Sequence, residues 1–316
     1  MIGKRKILNN FKTCMKYLFN KLIIGIISYL PRRVILLFAK RYVAGENSDH
    51  ALKVVSTLNR KGFHVTLDIL GEHTKNIKAA REIRKEYQAL IHQIDHHRLK
   101  CNISVKPSHL GSDISNECIE NNMIKLIHTA KEKENFVRLD MEDSSQTDST
   151  IQLYNTCKEH YKGIGIVYQA YLYRTEPDLK SHQVTTDLNF RLCKGIYKES
   201  EDIAIQGRAN INNNFLKLLR YAFEHNIYVG IATHDLFLIK ETYKLIKELE
   251  IKNDQFEFQV LYGVPMSGWL ETHLKNKYKV RIYVPFGKKW YDYSIRRLKE
   301  NPDIAGHILR NLLKNR

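Results

Sequence analysis

From Phe63 onward, short runs of β-branched and aromatic residues alternate with longer helical patterns, and this rhythm constrains the fold most. The runs are Phe63 to Leu70, Asn102 to Lys106, Phe136 to Met141 and Ile164 to Leu172. Four more follow: Phe190 to Gly195, Tyr228 to Thr233, Phe256 to Tyr262 and Val280 to Phe286. Stretches of helical character separate them, among them Lys75 to Leu99, Ile114 to Glu132, Asn212 to His225 and Leu236 to Leu249. Parallel strands cannot be joined by tight turns and need a crossover, usually a helix. Eight such units in about 240 residues predict an α/β fold, a closed (β/α)8 barrel of the TIM type. A doubly wound open sheet is the alternative. No GxGxxG follows the first run, which counts against a dinucleotide-binding version of it.

A barrel of this kind carries its chemistry where strands end and loops begin. Polar residues recur at those places: Lys106, Asp140 with Glu142, Gln169 with Tyr171, Arg191 with Lys194, Thr233 with His234, and Tyr283. One of them alone would mean little, because a strand must end in something polar. A ring of them predicts an active site at the rim. The last run leads through a glycine into Trp290 to Glu300, which reads as a helix ending before Pro302. On that helix Tyr293, Arg296, Arg297 and Glu300 fall at i, i+3, i+4 and i+7 and share one face, while Ile295 and Leu298 are left to pack. Two guanidinium forks beside a phenol suit a small carboxylate, which they can hold by paired, charge-assisted hydrogen bonds.

Lys and Arg number 51 against 34 Asp and Glu, a formal +17, which suits an anionic ligand or surface. The charge is spread along the chain without a basic tail, so nucleic-acid binding is not expected. The cysteines, Cys14, Cys101, Cys118, Cys157 and Cys193, lie far apart with no CxxC, the pattern of reduced thiols in a cytoplasmic protein. His92 and His96 have helical spacing but no carboxylate in a zincin arrangement, and no metal site is expected. The N-terminal apolar segment Leu22 to Leu30 is preceded by Lys21 and followed by Pro31-Arg32-Arg33. It has neither a signal-peptide cleavage site nor the roughly 20 apolar residues of a spanning helix. Residues 1–45 read as helices packed on a barrel of residues 46–316. Their basic and apolar character leaves open a peripheral contact with an anionic membrane.

Several stretches together resemble the proline dehydrogenase family: RYVAGE (41–46), SVKPSHLG (104–111), VRLDMEDS (137–144), YQAYLYRT (168–175), FRLCKGIY (190–197), ATHD (232–235) and EFQVLYG (257–263). The closing stretch RIYVPFGKKWYDYSIRRLKENP (281–302) completes the match, which covers nearly the whole chain. The resemblance implies a monofunctional enzyme that oxidises L-proline with FAD in a (β/α)8 barrel, its eighth helix lying over the mouth. Arg296 and Arg297 would then meet the proline carboxylate, with Lys106, Asp140, Leu261, Tyr283 and Tyr293 completing the substrate site. Glu300 and Arg191 would act as a gate. Gln169, Arg191, Lys194, Gly195, Thr233 and His234 would contact the FAD. Hydride would pass to the flavin, giving Δ1-pyrroline-5-carboxylate, and membrane quinone would take the electrons. The protein would be cytoplasmic, with a contact at the inner face of the plasma membrane left open. Three positions depart from the common family pattern: Cys193 and Ile196 stand where Val and Ala are usual, and Asp235 where Asn is frequent. Hydroxyproline is the alternative substrate within the family. Outside it, the rivals are a Schiff-base aldolase using Lys106 or Lys194 and a non-catalytic basic barrel that binds membranes.

Overall fold

The computed structural model describes residues 32–183 and 187–300. Eight parallel strands close on themselves in sequence order. They are β1 (His64–Ile69), β2 (Cys101–Val105), β3 (Val137–Leu139), β4 (Ile164–Gln169), β5 (Asn189–Cys193), β6 (Tyr228–Ala232), β7 (Phe256–Leu261) and β8 (Val280–Phe286). Strand β8 pairs with β1 from His64–Arg281 to Ile69–Phe286, and this seam shuts the barrel. Helices α1 (Arg32–Tyr42) and α2 (Ser48–Arg60) precede the first strand. The strands are then followed by α3 (Ile77–His96), α4 (Asn116–Glu132), α5 (Thr147–His160), α6 (Thr175–Gln183), α7 (Arg208–Glu224), α8 (Leu236–Glu248), α9 (Trp269–Lys275) and α10 (Trp290–Glu300). Residues 1–31 of the expected N-terminal segment lie outside the described residues.

Local chemistry sets the helix starts. Asn47, Asn76, Ser115 and Asp235 each accept a hydrogen bond from a backbone N–H in the first turn of α2, α3, α4 and α8. Those N–H groups have no partner within the helix, so the side-chain acceptor replaces water. The strands stop earlier than the apolar runs suggest. Strand β4 ends at Gln169 instead of Leu172, because Gln169 O accepts from Thr175 Oγ1 at 2.6 Å as the chain turns toward α6. Strand β5 ends at Cys193, two residues before Gly195, whose φ of 109° lies outside strand geometry. Of the residues released from the ladder, Lys194 and Gly195 reach the cavity at the mouth.

The core lies between barrel and helices, not inside the barrel. Alternate residues such as Val65, Leu67 and Ile69 of β1 or Phe256, Phe258 and Val260 of β7 are buried in one large apolar cluster. The residues between them, including Thr66, Asp68, Glu257 and Gln259, are equally buried but polar. They bond to one another across the lumen: Arg281 on β8 reaches Asn102 on β2, a strand it does not pair with, at 3.1 Å. A second apolar cluster of Ile35, Ala39, Tyr42, Val43, Leu70, Trp290 and Leu298 fastens α1 to α10 beyond the end of β1.

Candidate active site at the barrel mouth

A cavity of about 590 Å³ opens at the C-terminal ends of the strands. Its wall is made by lumen-facing side chains of the strands and residues of the loops that follow them, together with Tyr293, Arg296 and Arg297 of α10. Helix α10 can take that position because Leu298 is buried in the cluster with α1. Trp290 Nε1 also donates to Glu46 Oε1 at 2.6 Å. The apolar side of α10 is thus spent on α1, and its Tyr-Arg-Arg side turns to the cavity.

Asp140 organises the site. Oδ1 accepts from Ser104 Oγ at 2.6 Å and from Arg191 Nη1 at 2.6 Å, and Oδ2 accepts from Tyr283 OH at 2.9 Å. The Arg191 guanidinium lies 5.1 Å from the Tyr283 ring centroid. Burial, reinforced by the charges of Asp140 and Asp68, raises the Tyr283 phenol well above its ordinary range, so it stays a donor. Lys106 Nζ donates to Asp68 Oδ2 at 2.8 Å. Burial pulls this amine down, yet the carboxylates of Asp68 and Asp140 outweigh it and raise its pKa. A lysine held protonated is a cation for a substrate and a poor imine-forming nucleophile, which speaks against the aldolase alternative at Lys106.

On the opposite side, Lys194 Nζ lies 2.5 Å from Asp235 Oδ2, which Arg208 Nη2 shares at 3.0 Å. Despite burial, the bonds from Lys194 and Arg208 hold the Asp235 carboxyl down at about 2. Burial, helped by the charge of Arg297, lowers His234 to about 4. Its neutral ring accepts from Leu261 N through Nε2 at 2.9 Å. Gln169 Nε2 donates to Glu142 O at 2.7 Å, while Gln169 Oε1 is buried with no hydrogen-bond partner among the described residues. A Cβ at Gly195 would stand 2.1 Å from Tyr171 Cδ1, so the glycine at this turn is required by the chain's own tyrosine.

Lys106, Asp140, Gln169, Arg191, Lys194, Gly195, His234, Leu261, Tyr283, Tyr293, Arg296 and Arg297 all line this cavity. Thr233 is not among the wall residues; its hydroxyl accepts from Asp235 N at 3.1 Å and shapes the turn into α8. The side chain of Glu300 lies outside the described residues. Arg191 is occupied by Asp140 and by Gln259 Oε1, which accepts from Nε at 2.5 Å. Arg296 Nη1 donates to Glu72 Oε1 at 2.7 Å, a bridge from α10 to the loop after β1. Sequence reading missed Glu72, Asp68 and Gln259. The last two left a signal, a polar residue alternating with apolar ones inside a strand. Glu72 left none. Among the described residues, no group of three or more His, Cys, Asp or Glu is placed to hold a metal ion, and no helix is long and apolar enough to cross a membrane.

A closed barrel with a cavity at its mouth, into which several charged and polar side chains converge, has the architecture of a TIM-barrel enzyme. The chain belongs to the proline dehydrogenase family: the family model described as "Proline dehydrogenase" matches residues 51–310. It is 37% identical to proline dehydrogenase 1 of Bacillus subtilis subsp. natto over 278 residues, 87% of this chain and 91% of that protein. Proline dehydrogenase of Deinococcus radiodurans is 32% identical over 296 residues, 91% of this chain and 94% of its own. Among solved structures, proline utilization A from Bdellovibrio bacteriovorus, inactivated by N-propargylglycine, matches with a TM-score of 0.78 and 27% identity. That match covers 84% of this chain and 33% of the larger protein.

Proposed function

We propose that the protein oxidises L-proline to Δ1-pyrroline-5-carboxylate with FAD as its cofactor and passes the electrons to membrane quinone. The observation that carries this reading is the Tyr293-Arg296-Arg297 face of α10 set on the wall of the same cavity as Lys106 and Asp140. Arg296 and Arg297 bind the substrate carboxylate through paired N–H groups, and Lys106 adds a third cation to the same region. Tyr293, Tyr283 and Leu261 pack against the apolar ring and exclude water from it. Asp140, fixed by Ser104, Arg191 and Tyr283, holds the polar wall in one arrangement.

The residues present fit a flavin. The buried oxygen of Gln169 is an acceptor suited to an N–H at the edge of the ring. Arg191 and Lys194 supply positive charge, and the volume of about 590 Å³ is in the range of cofactor pockets. A bound flavin supplies the acceptor for a hydride from the ring carbon beside the proline nitrogen. We place the protein in the cytoplasm, where the +17 charge favours contact with an anionic membrane surface. Of the described residues, 46–300 form the catalytic barrel in this reading, and α1 packs on it. The test is a visible spectrum of the purified, FAD-loaded protein before and after anaerobic L-proline. Bleaching of the flavin band is expected. A yellow protein that proline leaves unchanged refutes the substrate, and one that stays colourless with FAD refutes the cofactor.

A further inference from the structure

The barrel lumen holds a polar chain that the proposed substrate contacts do not use. At its base Arg281 grips Glu257 with two N–H groups, Nε to Oε1 at 2.6 Å and Nη2 to Oε2 at 3.0 Å. Glu257 Oε1 also accepts from Gln259 Nε2 at 2.7 Å. Gln259 Oε1 accepts from Arg191 Nε at 2.5 Å, and Arg191 Nη1 continues to Asp140 at the mouth. Exposure along the chain is slight: Glu257 2%, Gln259 4% and Arg191 8%.

An amide has two ends of similar shape and opposite hydrogen-bonding character. Here only one orientation works. The Glu257 carboxylate, paired with Arg281, can only accept, so the amide must turn its NH2 toward it. The oxygen is thereby directed at Arg191 Nε, which can only donate. With Nε held by Gln259 and Nη1 by Asp140, the plane of the guanidinium is fixed on two edges, its central carbon 5.1 Å from the Tyr283 ring centroid. The neighbouring strand leaves room for this arrangement at Gly230, where a Cβ would stand 2.3 Å from Gln259 Nε2. Even alanine at that position would push the amide off its two partners.

We propose that Gln259 is a positioning residue: locked by the Glu257–Arg281 pair beneath it, it fixes the rotation of Arg191 and so aims that guanidinium at the flavin. The inference rests on the flavin-dependent reading above. It is tested on the full-length holoprotein by the visible spectrum, the FAD dissociation constant and steady-state kinetics of Gln259→Met, Arg191→Met and the double variant. Gln259→Met should weaken FAD binding about tenfold, the scale of one lost charge-assisted hydrogen bond. It should also shift the flavin band and lower kcat more than it raises KM. In the Arg191→Met background the same change should add nothing, because the group it acts through is gone. Additive effects in the double variant overturn the proposal. So does a Gln259→Met protein with a lowered melting temperature but the wild-type spectrum and FAD affinity. If Gln259→Met does not fold, Gln259→Glu, protonated against the Glu257 carboxylate, donates its O–H there and retains an acceptor for Arg191 Nε. It should keep FAD affinity near wild type even if less stable, and a loss as large as that of Arg191→Met overturns the proposal. A wild type that binds FAD but does not bleach with proline defeats the substrate reading alone, since the FAD measurements still decide the role of Gln259.

Discussion

Three donors converge on Asp140, from Ser104, Arg191 and Tyr283, and none of these three is near another in sequence. Tyr283→Phe removes one of them while keeping the ring beneath Arg191. The lost hydrogen bond to a charged acceptor is on the scale of about 1.5–3 kcal/mol. We therefore expect kcat/KM for proline to fall about tenfold or more, measured by steady-state assay. Because burial holds this phenol protonated far above its usual range, the wild-type rate should show no loss from Tyr283 ionisation up to pH 10. A break near pH 10 that disappears in Tyr283→Phe would contradict that. Arg296 has a different position, half on the surface with Glu72 and half on the cavity wall. Arg296→Met should raise the proline KM by about a hundredfold, as expected for losing a charged, paired contact. Bound flavin, read from the absorbance ratio of the purified protein, should stay close to wild type. Loss of flavin with a normal KM would place Arg296 on the cofactor instead.

At the scale of elements, α10 decides whether the mouth is covered. Its hold on the barrel is a buried leucine, the Trp290–Glu46 bond and the exposed Arg296–Glu72 bridge. Leu298→Ala deletes the leucine from the cluster with α1 and should cost about 2–4 kcal/mol locally. The expected result is faster proteolytic cutting near α10 and a raised KM, with the barrel's far-ultraviolet circular dichroism unchanged. Much of this element was legible in the sequence, because helical periodicity alone separates Leu298 from Arg296 and Arg297. The alternation of apolar runs and helical stretches likewise predicted the closed barrel, and strand-end position picked out Lys106, Asp140 and Gln169; Arg191 and Tyr283, read as strand-end residues too, stand inside β5 and β8 and reach the cavity from within the lumen. Long-range pairing was not legible. Glu72 and Arg296 are 224 residues apart, and only barrel closure and the docking of α10 bring them together. Gln259 was hidden for a related reason. A polar residue inside a strand can face solvent, a helix or the lumen, and the strand's own sequence does not say which.

Taken whole, the molecule buries its apolar side chains outside the barrel and its charges inside, and it also buries several histidines in neutral form. Burial lowers His64, His109, His234 and His273 to about 4 from an ordinary 6.5. The unfolded chain binds protons at these four positions as pH falls through 6.5, whereas the folded chain does so only near 4. Between those values the unfolded state holds more protons, so acidification removes stability that is fully present above pH 6.5. Asp68 and Glu142, whose carboxyls burial raises, take up protons earlier in the folded protein and soften the loss. His273 isolates one contribution: it is fully buried, stacks on Phe258 at 3.8 Å and shares a hydrogen bond with Tyr243 OH at 2.9 Å. His273→Gln should be less stable at pH 7 because it leaves that aromatic stack. Its unfolding free energy should nevertheless depend less steeply on pH. Between pH 6 and 5 the slope should shrink by up to one proton, about 1.4 kcal/mol per pH unit. Urea titrations at pH 7, 6, 5.5 and 5 would measure it, with the denaturant slope checked for constancy. An unchanged pH slope would mean that His273 is already protonated in the folded barrel, and that the stack beneath α9 holds an imidazolium.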